Sequence, residues 1–378
     1  MKMKAAVCNE NGKPLDIEEI EIIDPRPGEV LVKVDATAVC QSDLHGIDGD
    51  VQGRLPGIAG HETVGHAYKL GEGVTLIKEG DYVCCTTTTV GCGFCDECLA
   101  GRRSNCTVKS MMGLMMREPS HTNSKGEPVS ALAGFVGGFA EYVLLDEYSL
   151  VKIDESMPID KACLISCAVI SGFGSAITAG VKPFSSAAII GTGSVGINAI
   201  QGSTFLGACP VIAIDMLDSR LKAAKQFGAT HTINAEEVPD TIQAVKDITG
   251  GKGADYVFIT ATTSSNTLSQ QAIEMSSPTG VICRISLGGM TPESMQDIEW
   301  MRGLAGFGTA RKFISPMMGG SNIIQDIPNY VKLYQAGRLQ LDSLVTGHYL
   351  LDQINEAIAK LRTGEALRSI IMMESGIN

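Results

Sequence analysis

The chain is poor in charge and has no basic excess. Only 19% of its 378 residues are charged, and 42 acidic against 30 basic side chains leave a net charge of −12. That balance argues against a general binder of nucleic acid or anionic membrane, which needs a basic face, while leaving room for a local basic pocket for a phosphate. No apolar run reaches about 18 residues, so no membrane span is expected. The opening Met1-Lys2-Met3-Lys4-Ala5-Ala6-Val7 lacks the long apolar stretch and cleavage site of a secretory signal, so the cytoplasm is the expected location. Internal repeats and low-complexity tracts are absent, and a hydrophobic fraction of 44% excludes bulk disorder.

What is there points to a large globular chain. At about 150 residues per domain, two to three domains are expected, enough to bury a core without covalent staples. Glycine is abundant, at 43 residues with no collagen-like period, which implies many tight turns and close backbone approaches. Twelve cysteines in a long chain with no secretory signal suggest metal binding or catalysis rather than disulfides.

The first 155 residues or so look β-rich. Residues 29–36 alternate after Pro25, Pro27 and Gly28, as an antiparallel strand with one wet face should. Residues 160–179 are small and apolar, suggesting a buried helical segment that crosses between domains. The texture then changes. Unbroken apolar runs at 187–190, 211–214, 256–259 and 281–287 alternate with helical patterns, such as 219–227 closed by Gly228. This is the pattern of a doubly wound parallel α/β sheet. From about residue 323, helices and one final strand at 369–373 fit a return to the first domain.

Three constellations carry chemistry. Cys92, Cys95, Cys98 and Cys106 follow C-x2-C-x2-C-x7-C. Four thiolates in one loop can close a tetrahedral, structural zinc shell, and Gly91, Gly93 and Gly101 let the loop wrap tightly. An iron–sulfur cluster and unligated thiols are the alternatives. Cys40, His61 and Cys167 could supply three ligands of an open catalytic zinc, although their spacing alone is a weak signal. Gly191-Thr192-Gly193-Ser194-Val195-Gly196 is G-x-G-x-x-G between a buried strand and a helix, with Asp215 ending the next strand. That context favours a dinucleotide loop over an ordinary glycine turn, and Asp215 favours NAD over NADP by repelling a 2′-phosphate.

Together these motifs resemble the zinc-dependent medium-chain alcohol dehydrogenases over essentially the whole chain. The resemblance covers the Cys40, Ser42 and His45 segment, Gly60-His61-Glu62, the four-cysteine lobe, the Cys167 segment, the glycine loop and the tail from Gly337 to Arg368. It implies a GroES-like β-rich catalytic domain over 1–168 and 318–378, with an NAD-binding Rossmann domain over 169–317. It implies two zinc ions per chain, one held by Cys40, His61 and Cys167 and one by the lobe. Glu62 would sit behind the catalytic zinc and approach it during ligand exchange, and Asp43 would receive the other ring N–H of His61. Ser42 would bind the substrate hydroxyl and His45 would pass its proton outward through the nicotinamide ribose. Gly191, Gly193, Ser194, Val195 and Gly196 would cradle the coenzyme, Arg220 would lie beside the adenosine ribose near Asp215, and Arg368 would contact the pyrophosphate.

Some positions depart from many relatives. Gln41 replaces Arg or His, which implies a weaker grip on the pyrophosphate, and Thr88 replaces an aromatic pocket wall. Residues 111–134 exceed a simple turn and hold Met111, Met112, Met115 and Met116, either a pliable pocket wall or core packing; this length resembles the dimeric branch of the family. Arg311 and Lys312 read as a solvated pair, with an anionic-substrate contact as the alternative, and Arg284 sits unexplained in an apolar strand. The expected activity is oxidation of a primary or aryl alcohol with NAD, by a homodimer or a tetramer. The rival enzyme readings are a glutathione-dependent formaldehyde dehydrogenase and a reductase of conjugated carbonyls. A non-enzymatic zinc or redox protein is disfavoured because no ligand or relay residue is missing.

Overall fold

The computed structural model describes residues 1–110, 112–113, 117–134, 136–261, 266–285 and 309–374. The chain divides into two compact units, Met1–Cys167 with Asn322–Asn378, and Ala168–Ser321.

The first unit holds β1 (Lys2–Cys8), β2 (Asp16–Ile22), β3 (Glu29–Val39), β4 (Gly57–Ile58), β5 (Glu62–Leu70), β6 (Tyr82–Cys85), β7 (His121–Thr122), β8 (Pro128–Ala131), β9 (Tyr142–Asp146) and β10 (Leu150–Lys152). The second holds β11 (Ala187–Ile190), β12 (Val211–Asp215), β13 (His231–Asn234), β14 (Ala254–Ile259), β15 (Ser276–Arg284) and β16 (Lys312–Ile314). β17 (Val345–Leu350) and β18 (Arg368–Met372) return to the first unit.

In the first unit β1, β2, β7, β8 and β4 close a small barrel, and β10-β6-β5-β3-β18-β17 form a sheet to which β9 adds beside β3. The expected wet face of β3 does not exist. From Val34 to Val39 every residue is buried, and only Glu29 and Lys33 are half-exposed. The reason is packing on both faces, since Val30 and Val32 on one and Leu31 on the other all belong to the core, while β5 pairs along one edge and β9 then β18 along the other. The buried Asp35 is matched by His66, whose Nδ1 lies 2.6 Å from its Oδ2. The C-terminal region contributes two strands, not one. β17 escapes a search for apolar runs because its six residues alternate half-buried with exposed. Part of the expected loop at 111–134 is also strand, since β7 and β8 complete the barrel. Met112 is 63% exposed, while Met111, Met115 and Met116 lie outside the described residues.

In the second unit the sheet runs β13-β12-β11-β14-β15-β16, with every pair parallel. This order reverses direction between β11 and β14, and open α/β sheets bind ligands beyond the strand ends at such a switch point. β15 begins five residues before the expected 281, and residues 286–287 of that expectation lie outside the described residues. Arg284 ends β15 half-buried. Arg311 is not a solvated residue: its Nε donates to Ser276 Oγ at 2.9 Å and its Nη2 to Ser276 O at 3.2 Å, while Lys312 is exposed.

The run Ile159–Ala179 is helical, with a wider π turn at Ile165–Val169. By length and composition these 21 residues could cross a membrane, a possibility the search for apolar runs missed because serines and glycines interrupt them. In the fold, 83% of the most apolar stretch is buried inside the protein, as a core helix would be.

His121 on β7 is 5% exposed, and burial pushes its imidazole down from 6.5 to about 4, with Arg117 adding to the effect. Between those values the unfolded chain binds a proton that the folded chain refuses, so stability falls as pH falls. Urea titrations of wild type and His121→Gln at pH 7 and pH 4.5 should show the wild type losing about 2–3 kcal/mol more on acidification. Equal losses would show that His121 does not titrate in this way.

Candidate active site

The end of β3 leads into the helix Gln41–Asp48, and Cys40 sits at the junction as its N-cap. Asp43, in the first turn, is fully buried and takes three donors. Its Oδ2 accepts from Cys40 N at 3.0 Å, and its Oδ1 accepts from Gly60 N at 2.9 Å and lies 2.7 Å from His61 Nδ1. Gly60 has φ 94°, and a Cβ there would stand 2.7 Å from Phe139 N, so glycine is required to present His61. A carboxylate only accepts, so His61 carries its hydrogen on Nδ1 and keeps Nε2 for a metal.

On the opposite side, the π turn at Ile165–Val169 delivers Cys167, whose Sγ is 3.3 Å from His61 Nε2. Cys40, His61, Glu62 and Cys167 are all buried, with ligand atoms within 4.8 Å of one another. Zinc bonds of about 2.1 Å to nitrogen and 2.3 Å to sulfur put tetrahedral N and S ligands about 3.5 Å apart, so the donor set and spacing fit that ion. The Cys40 thiol is held well below its ordinary range, first by its hydrogen bond with Cys167 and then, against burial, by Arg368 and His61. Burial would lower the His61 imidazole, but Asp43 and Cys40 outweigh it and hold it high.

Arg368 has partners that the sequence reading did not single out. It is 3% exposed, and its Nε and Nη2 donate to the two oxygens of Glu62 at 3.0 and 2.8 Å, with Nη2 also 3.4 Å from Cys40 Sγ. A carboxylate this deep needs a paired cation, and burial still pushes Glu62 up against the pull of Arg368. The guanidinium is thus held beside the cluster of Cys40, His61 and Cys167. Ser42 is half-buried with Oγ 3.9 Å from Cys40 Sγ, and Gln41 is half-buried at the helix start. His45, in the last turn, has Nδ1 2.8 Å from Asp50 Oδ2, a partner the sequence reading did not single out. Thr88 is wholly buried, its hydroxyl without a hydrogen-bond partner among the described residues.

The lobe brings Cys92, Cys95, Cys98 and Cys106 together, also within 4.8 Å. Sulfur pairs Cys92–Cys98 and Cys95–Cys106 are 3.9 and 3.8 Å apart. Sulfurs at about 2.3 Å from one zinc define a tetrahedron with edges of about 3.8 Å, so the lobe has the size of a single-ion shell. Lys109 N and Cys92 N donate to Cys106 Sγ at 3.2 and 3.3 Å, and backbone N–H groups of Cys98 and Thr107 hold Cys95 down at about 6. Such donors favour thiolate, the form a metal takes.

In the second unit, Gly191 ends β11 with φ 88°, and a Cβ on Gly196 would stand 2.0 Å from Gly191 O. A Cβ on Gly193 would meet nothing within 4 Å, which leaves the backbone open to a ligand there. Ser194 and Val195 begin the following helix, Ser194–Phe205. Asp215 ends β12, with Oδ2 accepting from Thr192 N and Oγ1 at 2.7 and 3.0 Å, and Oδ1 from Met216 N and Leu217 N at 2.8 and 3.1 Å. Arg220 Nη1 is 4.0 Å from Asp215 Oδ2. These residues fit a dinucleotide.

Comparison with known proteins agrees with this geometry. Residues 26–155 match the alcohol dehydrogenase GroES-like domain, and 194–335 match the zinc-binding dehydrogenase domain. The chain is 34% identical over 374 residues to an NDMA-dependent alcohol dehydrogenase of Amycolatopsis methanolica, covering 98% of this chain and 99% of the relative. Among solved structures, a benzyl alcohol dehydrogenase of Acinetobacter calcoaceticus superposes with TM-score 0.86 at 30% identity, covering 99% of each chain. An alcohol dehydrogenase zinc-binding domain protein of Burkholderia ambifaria gives 0.87 at 30% identity, covering 98% of this chain and 99% of that one.

Metal analysis should find both clusters loaded. Cys95→Ser is expected to lose the lobe ion and His61→Ala the other, each leaving its counterpart in place. Asp43→Ala should weaken retention at the second cluster alone by about 10–100-fold in a chelator competition. Unchanged metal content in Cys95→Ser would refute the lobe assignment.

Proposed function

The chain belongs to the medium-chain zinc-binding alcohol dehydrogenases, and on that footing we propose that it catalyses reversible hydride transfer between a primary or aryl alcohol and NAD. The observation that carries this reading is the convergence of Cys40, His61 and Cys167, backed by Asp43, in a buried site. We assign the catalytic zinc to those three ligands and a structural zinc to the lobe. The chemistry such an ion supplies is Lewis acidity, which makes an alcohol hydroxyl more acidic and a carbonyl more electrophilic.

The chain's own residues do the rest. Asp43 fixes the imidazole of His61 and the backbone on either side of it. Arg368 neutralises Glu62 and draws its carboxylate back, leaving it poised behind the ligands. Ser42 Oγ, close to Cys40, receives the substrate hydroxyl proton, and His45 at the end of the same helix passes it outward. Gly191, Gly193 and Gly196 let the coenzyme backbone approach, with Ser194 and Val195 offering helix N-terminal amides. The four donors on Asp215, from Thr192, Met216 and Leu217, already fill the roughly four acceptor sites of a carboxylate, so a ribose hydroxyl would take the place of the Thr192 hydroxyl. The charge of Asp215 disfavours a 2′-phosphate, even with Arg220 close by. The aryl preference is supported by the likeness to a benzyl alcohol dehydrogenase.

The test is reduction of NAD over a panel of aliphatic, aryl, secondary and anionic alcohols, with NADP in parallel. NAD is expected to outperform NADP by roughly tenfold or more, equivalent to at least about 1.4 kcal/mol, and Gly196→Val should abolish coenzyme binding. NADP preference would overturn the role of Asp215. Because one relative is named NDMA-dependent, NDMA is assayed as acceptor alongside. Turnover with NDMA and none with NAD would reassign the acceptor.

A further inference from the structure

The helix Gln41–Asp48 ends at Gly49, which is left-handed with φ 87° and donates its N–H to Gly46 O at 3.3 Å. Val51 N then returns to His45 O at 3.0 Å. This curl brings Asp50 back against the last helical turn, where its Oδ2 lies 2.8 Å from His45 Nδ1. The two side chains differ in exposure, 14% for the imidazole and 64% for the carboxylate, so the pair joins a sheltered ring to open water. The neighbouring carboxylate does not compete, because Asp48 is held by Arg362, with Nη1 to Oδ2 at 2.8 Å.

An ionised carboxylate accepts hydrogen bonds and donates none, so the ring nitrogen facing Asp50 carries the hydrogen and Nε2 keeps the lone pair. We propose that Asp50 is a positioning residue for the proton relay, locking His45 in its Nδ1–H tautomer so that Nε2 takes the proton. The role rests on the alcohol dehydrogenase reading above. The proton leaving the alcohol O–H binds Nε2, and the resulting imidazolium stands opposite the Asp50 carboxylate. Loss of that proton to water restores the neutral ring, and no electrons move in this step.

The experiment combines two readouts on the zinc-loaded enzyme. Nitrogen-15 imidazole spectra report which ring nitrogen of each histidine is protonated; there are six histidines, and His45→Gln identifies the relevant signals. Single-turnover oxidation of benzyl alcohol reports the relay. Wild type should show neutral His45 as Nδ1–H, Asp50→Ala should lose that preference, and Asp50→Glu should restore it. Asp50→Ala should slow single-turnover NADH formation about tenfold, a part of what general base catalysis contributes. Added imidazole buffer should recover most of that rate, which it would not do for a merely structural defect. The proposal is overturned if wild-type His45 carries its hydrogen on Nε2, if Asp50→Ala reacts at the wild-type rate, or if buffer base gives no rescue. Wild type that binds zinc and shows the expected tautomer but oxidises no alcohol would instead refute the dehydrogenase reading, and the relay role would fall with it.

Discussion

The carboxylate of Asp43 is the contact on which the candidate site depends. One buried side chain accepts from the backbone at Cys40, from the backbone at Gly60 and from the ring of His61. It therefore joins two ligand-bearing segments that are about twenty residues apart in the chain and sets the tautomer of one ligand. A charge buried this completely persists because its acceptor capacity is used. Removing it would leave three donors without an acceptor in a dry site and both ligand segments without a common anchor.

A second buried charge pair lies behind the first. Glu62 and Arg368 meet through two hydrogen bonds, and the same guanidinium reaches the sulfur of Cys40. Cys40, shifted toward thiolate beside Cys167, brings negative charge into a buried pocket along with Glu62. Arg368 offsets part of it in a planar geometry that matches a carboxylate. This explains how an acidic side chain can stand beside two thiol ligands without driving the cluster apart.

Legibility in the sequence followed distance along the chain. The four-cysteine lobe and the Gly191–Gly196 loop are local, and the spacing of the first and the strand-and-helix context of the second point to a metal shell and a dinucleotide loop. Cys167 lies 106 residues from His61, so spacing alone made the set a weak candidate, and resemblance to a family strengthened it. Arg368 stands 306 residues from Glu62, and nothing in the sequence links the two. Asp50 was closer to hand: it follows His45 across a glycine that ends a helix, a pattern that folds a side chain back onto the last turn. β3 and β17 were misjudged for opposite reasons. The alternation of β3 concealed packing on both faces, and the mixed polarity of β17 concealed any strand.

The discontinuity of the first unit has a consequence for biosynthesis. β18 pairs with β3, Ser369 opposite Val39, and β17 with β18, so the sheet that leads to Cys40 lacks two strands until residues 345–372 have left the ribosome. The second unit is continuous and can fold while β3 still waits, in keeping with domains folding as units during synthesis. Throughout that interval residues 36–39 of β3 present an unpaired edge, the kind of surface that recruits other strands, and Glu62 awaits its guanidinium. Translation is therefore an interval in which this edge is open to neighbouring chains, and the arrival of β18 ends it.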